Sequence, residues 1–181
     1  MSEGKKRTVI LGIVFLFFLL VAYVENTSFF VYIRDSFTTN PLLAVVFVFI
    51  HNVLAISLII LGMTFYVEIV LNFMPKRKIE YVVLQNPTVF AVVFTVMILS
   101  LSIFRASTIM KGAVDIGSLA LVILISAPIA LVEGYGIFQA LKRTLSKNLT
   151  LRGLGAIYLI FFAAAVVEVG FVQLLLWISP K

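Results

Sequence analysis

Apolar residues along this chain come in long runs broken by short polar and basic segments. Thr8–Val24 is apolar almost throughout and follows Lys5-Lys6-Arg7. Its roughly 17 residues are just enough to span a bilayer and long for the core of a secretory signal. Val21-Ala22-Tyr23 is also a poor small-x-small cleavage site, so the run reads as a first transmembrane helix. Glu25–Asn40 is mixed, and Phe29, Phe30, Tyr32 and Phe37 fit a short interfacial helix at headgroup level. Pro41–Met74 carries Glu68 as its only formal charge. At 1.5 Å per residue it would extend about 51 Å against a hydrocarbon core of about 30 Å. It therefore predicts one over-long helix, with Gly62 as a candidate hinge. Ile79–Pro87 reads as a surface connector. Thr88–Phe104 is a third span, Arg105–Gly117 a loop, and Ser118–Leu141 a fourth span broken by Pro128, Gly134 and Gly136. Gly153–Ser179 is the fifth, with Trp177 placed for an aromatic belt. The pattern predicts an all-α integral membrane helical bundle of five transmembrane helices in one domain, 1–181, with spans near 8–24, 41–74, 88–104, 118–141 and 153–179.

Composition agrees. The 181 residues are 62% hydrophobic and 12% charged, with a mean hydropathy of +1.19, against about 45–50% and about 25% in soluble domains. Zero cysteines exclude disulfides and thiolate metal sites, and a single histidine excludes a multi-histidine metal site in one chain. No cofactor is implied. The net charge of +6 does not indicate nucleic acid, because the basic residues cluster beside apolar runs as topology signals do. With the N-terminus inside, the inner segments hold Lys5, Lys6, Arg7, Lys76, Arg77, Lys78, Lys142, Arg143, Lys147 and Arg152. The outer segments hold Arg34, Arg105, Lys111 and Lys181, a bias of 10 against 4. This places the N-terminus in the cytoplasm and the C-terminus outside, in a plasma membrane.

Four ionisable side chains fall inside apolar runs: His51, Glu68, Glu133 and Glu168. A charge near the bilayer centre costs roughly 2.5–3.5 kcal/mol on insertion scales, so these positions are where function or helix assembly is to be sought. Distance from the segment ends predicts an outer level, where His51 meets Glu168, and an inner level, where Glu68 meets Glu133. Two neighbouring carboxylates in low dielectric would share a proton, making a proton or cation site. Helical phase puts Ser57, Thr64, Glu68 and Asn72 on one stripe. Ser126, Ala130, Glu133 and Gly134 form another, as polar and small residues do in close membrane packing. The bland alternative is that each Glu, protonated, bonds a hydroxyl on another helix. Gly134-Tyr135-Gly136 reads as a packing or kink feature, and Asn26-Thr27-Ser28 and Asn148-Leu149-Thr150 match the weak glycosylation sequon. An intramembrane hydrolase is the third possibility, but Ser57 lies on a different face from His51, and no Glu-Glu pair or second histidine is present.

Phe49-Ile50-His51-Asn52-Val53-Leu54-Ala55, followed by Leu61-Gly62, resembles the "hNv…lG" pattern of the stage II sporulation protein M family. Ser126-Ala127-Pro128-Ile129-Ala130-Leu131-Val132-Glu133-Gly134-Tyr135-Gly136 resembles that family's "phgi.E" segment. The resemblance covers roughly Pro41–Leu141. The family's Asn-Gly step has no match between Thr88 and Phe104, and Ile129 stands where a histidine usually follows the proline. The resemblance implies a small polytopic protein with His51, Asn52, Gly62 and Glu133 at family positions. It also implies a non-enzymatic role in a membrane complex. The expected function is a scaffold or permease-like subunit, with membrane lipid and other membrane proteins or further copies of the chain as partners. The alternative is a small oligomeric channel or transporter subunit for protons or a small solute.

Overall fold

The computed structural model describes residues 13, 17, 20–21, 23–33, 36–73, 78–111, 117 and 119–178. Among these, every regular element is helical. Lys5, Lys6, Arg7, most of the first predicted span, Arg34, Asp35, Pro75, Lys76, Arg77, Asp115 and Lys181 lie outside them. So do the side chains of Asn72, Arg105, Lys111 and Trp177.

Helix α1 covers residues 23–33, with helical positions at 13, 17, 20 and 21 before it. The predicted first span therefore does not end at Val24. The helix carries Glu25 and Asn26 in its body, and only the four-residue α2, Ser36–Thr39, separates it from the next long helix. Phe30 and Ile33 of α1 and Phe37 of α2 bury with Ala44, Val48, Ala165 and Val169, so this polar-looking stretch supplies part of the core.

Helix α3, Pro41–Phe73, begins with Pro41 at its first position. The Asn40 side chain accepts a hydrogen bond from Leu43 N–H at 3.1 Å, an N-cap. It runs through Gly62 without a break, so Gly62 is not a hinge in this structure. A Cβ there would meet nothing within 4 Å. The predicted connector after it is a helix, α4 (Lys78–Gln85). Helix α5, Pro87–Lys111, passes the predicted end at Phe104 and absorbs the first part of the expected 105–117 loop. Its polar residues misled; no Gly or Pro falls between Pro87 and Gly112 to stop the helix.

Helix α6, Leu119–Leu145, is continuous through Pro128, Gly134 and Gly136, which corrects the expected broken span. Proline removes one backbone bond, but the helix carries on around it, as membrane-type helices do. The two glycines serve close approach instead. A Cβ on Gly134 would sit 2.8 Å from Leu99 Cδ1, and one on Gly136 would sit 3.0 Å from the Phe161 ring. They let α6 press against α5 and α7. Lys147, at φ 54°, takes the left-handed conformation that ends helices, and Asn148 N–H returns to the Arg143 carbonyl at 3.0 Å. The Thr150 hydroxyl then caps α7, Leu151–Ile178, by accepting from Gly153 N–H at 3.1 Å.

The register follows from cross-helix contacts. Asn52 meets Glu133 and Glu68 meets Lys147, so α3 and α6 run parallel. Phe49 meets Phe162 and Ser57 meets Tyr158, so α7 runs antiparallel to α3. A second core lies beyond the Asn52 level, where Ile56, Ala91, Ile137, Leu141, Ile157 and Phe161 bury together. The outside of α3 is apolar along its length: Leu42, Val46, Ile50, Leu54, Leu58, Leu61 and Phe65 are exposed. Pro41–Glu68 and Leu151–Leu174 are long and apolar enough to cross a membrane, and Pro87–Ile103 is a shorter apolar helix.

Candidate functional site

Three of the candidate residues converge. His51 and Asn52 are consecutive on α3, and each is 8% exposed, as is Glu133 on α6. Being consecutive, the two α3 side chains point about 100° apart around the helix, so one reaches α1 and the other α6. Asn52 Nδ2 donates to Glu133 Oε1 at 3.3 Å. His51 turns to α1. Its Nε2 lies 3.2 Å from Asn26 Oδ1, and its Nδ1 lies 3.9 Å from Glu25 Oε1. An amide oxygen only accepts, so Nε2 is the hydrogen-bearing nitrogen of that contact. The ring stacks on Phe29 with centroids 4.1 Å apart and an interplanar angle of 9°. Phe30 meets it edge-on at 5.9 Å.

Asn26, His51, Asn52, Ser102 and Glu133 share one cavity of about 60 Å³. Its remaining wall is Ala55, Ile56, Ile59, Ile98, Ile137 and Phe161, so one end is polar and the other apolar. That volume holds a few water molecules and falls far short of the roughly 300–1,000 Å³ of an organic-ligand pocket.

The other two ionisable candidates lie elsewhere. Glu68 is exposed, and its Oε1 stands 3.9 Å from Lys147 Nζ in the α6–α7 turn. Because α3 and α6 are parallel, Glu133 sits at the level of Asn52, about 24 Å along α3 from Glu68. The expected Glu68–Glu133 pair does not form. The extension of α6 to Leu145, past Lys142 and Arg143, moves Glu133 about 6 Å further from the helix end than the predicted span does; the parallel register with α3 accounts for the rest. The expected His51–Glu168 pair also fails on register. The level of His51 falls at residues 160–164 of α7, so Glu168 lies at least four residues, about 6 Å, beyond it. Glu168 Oε2 is buried, outside the cavity. The polar stripe on α3 divides too: the Ser57 hydroxyl lies 2.8 Å from that of Tyr158, while Thr64 faces outward and bonds the Ile60 carbonyl.

No family model, curated protein or solved structure matches the chain. Site residues that the sequence reading missed are Glu25, Asn26 and Ser102. The first two stood in a segment taken as interfacial, and Asn26 was noticed only as a sequon; in the structure it is a half-buried helix position against His51. A signal was present: Asn26, Phe29, Phe30 and Ile33 recur at helical spacing. Ser102 has no distinguishing sequence signal. Among the described residues no group of three metal-type side chains comes together.

Proposed function

We propose that the chain is a non-enzymatic five-span membrane bundle, resembling the stage II sporulation protein M family, that acts as a scaffold or permease-like subunit of a membrane complex. The spans are α1 with the residues before it, α3, α5, α6 and α7, with the N-terminus cytoplasmic, in a plasma membrane. The observation that carries this reading is the Asn52–Glu133 hydrogen bond. It joins the "hNv" segment to the "phgi.E" segment across 81 positions, at the level where both side chains are buried. Both ring nitrogens of His51 face Asn26 and Glu25, an arrangement that fixes a helix contact, not a serine nucleophile. The exposed apolar stripe of α3 favours a lipid surround, and the α6–α7 turn, with Lys147 in it and Lys142, Arg143 and Arg152 on the helix ends beside it, lies at the Glu68 end, as a cytoplasmic basic segment would.

Depth then follows from helix length. The 33 residues of α3 extend about 50 Å, so centring them on a core of about 30 Å leaves about 10 Å beyond each edge. Glu68 comes to the inner edge beside Lys147. His51 and Asn52 lie only about 5 Å inside the outer edge.

Replacing Glu133 by Ala tests the proposal. Loss of complex assembly or of fold stability is expected. A Glu133→Ala protein that folds, assembles and supports growth as the native chain does would refute the reading of the site.

A further inference from the structure

We infer that the polar cavity is a proton-loading site, in which His51 relays protons between Glu25 and the buried carboxylate of Glu133. This deepens the permease-like half of the proposed function and rests on its membrane placement. Three observations carry it. Glu25, with its side chain 64% exposed, stands at one ring nitrogen of His51, and Asn26 stands at the other. His51, Asn26, Asn52, Ser102 and Glu133 line one cavity with room for a few waters, which are what a proton needs to cross from the ring to the carboxylate. Ile56, Ile59, Ile98, Ile137 and Phe161 supply the apolar part of the lining and offer a proton no further acceptor, so Glu133 is the carboxylate that the cavity presents.

The steps balance. Glu25 takes a proton from water at the outer edge and, across the 3.9 Å that separates them, hands it to Nδ1 through one bridging water. The hydrogen on Nε2 leaves its bond to Asn26 Oδ1 for cavity water, and water hands it to the Glu133 carboxylate, while Asn52 donates to Oε1. The net change is one proton bound from bulk and one carboxylate neutralised. Stacking on Phe29 and the edge of Phe30 oppose a ring flip, so the relay resets only when the proton returns by the same route. The device therefore loads and unloads; it does not conduct through. The titratable groups that the contacts and the cavity place toward His51 include Glu25 from α1 and, across the cavity, Glu133 from α6; α5 and α7 contribute Ser102, Ile98 and Phe161 to the lining.

The test uses the full chain in lipid vesicles, with a pH jump outside and infrared difference spectroscopy of carboxyl groups. A pH-dependent carboxyl band that is absent in Glu133→Gln is expected. His51→Phe, which keeps the aromatic stack, should slow its appearance by about a hundredfold, the lower end of what a positioned proton-transfer group contributes. Glu25→Gln should slow it less, and no steady proton current should flow in any variant. If His51→Phe is poorly folded by circular dichroism, His51→Gln carries the same expectation. A Glu133 band that ignores pH, or that appears at the native rate without His51, overturns the relay. Assembly of the complex by His51→Phe with loss of loading would separate this inference from the scaffold role. Native-rate loading in the unaltered chain, together with normal assembly by Glu133→Ala, would sink the scaffold role alone.

Discussion

Cutting the Asn52–Glu133 bond is the most informative perturbation of the bundle. Asn52→Ala removes the amide that donates to Oε1 at 3.3 Å and leaves a buried carboxylate short of that donor. A hydrogen bond to a charged acceptor contributes about 1.5–3 kcal/mol in soluble proteins, while side-chain bonds between membrane helices average about 0.6 and reach about 1.7. The length of 3.3 Å exceeds the 2.7–2.9 Å of strong charge-assisted bonds, so the lower part of the first range applies. The expected pair energy is about 1–1.5 kcal/mol, about five- to thirteenfold in the unfolding constant. Each single change, Asn52→Ala or Glu133→Leu, should destabilise by about 2 kcal/mol, because each also takes one hydrogen-bond partner from a buried polar group. The double variant should cost less than the sum of the singles by the pair energy. Unfolding in mixed detergent micelles, followed by helical circular dichroism, measures all four corners. Ser57→Ala with Tyr158→Phe gives the comparison, a neutral pair at 2.8 Å on the same helix, expected to couple by about 0.5 kcal/mol. Strict additivity of Asn52→Ala and Glu133→Leu, within about 0.3 kcal/mol, would show that the contact does not hold α3 to α6.

Further predictions follow from single contacts. Thr95 is buried and its hydroxyl oxygen makes no hydrogen bond among the described residues, so Thr95→Val should raise stability by about 1–2 kcal/mol in the same unfolding assay. Gly136→Ala drives a methyl to 3.0–3.2 Å from Phe161 and Ile160, and a loss of about 1–3 kcal/mol is expected, with partial rescue by Phe161→Leu. Lys147→Gly sets two small terms against each other. It removes a left-handed backbone penalty of about 1 kcal/mol and an exposed pair with Glu68 worth about 0–1 kcal/mol. The melting temperature should hold or rise, and a clear fall would mean that the ion pair outweighs the turn. Thr150→Ala removes the α7 N-cap, and a loss of about 1 kcal/mol is expected.

The sequence by itself determined the class of architecture, because long apolar runs with few charges have little choice but helix. It also determined where α3 starts, since Asn40-Pro41 is both a cap and a first-turn proline. It singled out His51, Asn52 and Glu133, because an ionisable or amide group in an apolar run is expensive wherever it lands. Helix ends were less legible. Arg105 and Lys142-Arg143 look like span boundaries, yet helices run on past them, because a basic residue is a good helix former and does not by itself end a helix. Which polar residues meet was decided only by tertiary structure. Depth counted from segment ends assigned Glu68 to Glu133 and His51 to Glu168. The parallel register of α3 with α6, and a first helix extending to residue 33, instead gave Glu133 to Asn52, Lys147 to Glu68, and Glu25 and Asn26 to His51. Register is fixed by how side chains interdigitate between helices, with Gly134 and Gly136 admitting Leu99 and Phe161, and that fit has no signature in a single chain of letters.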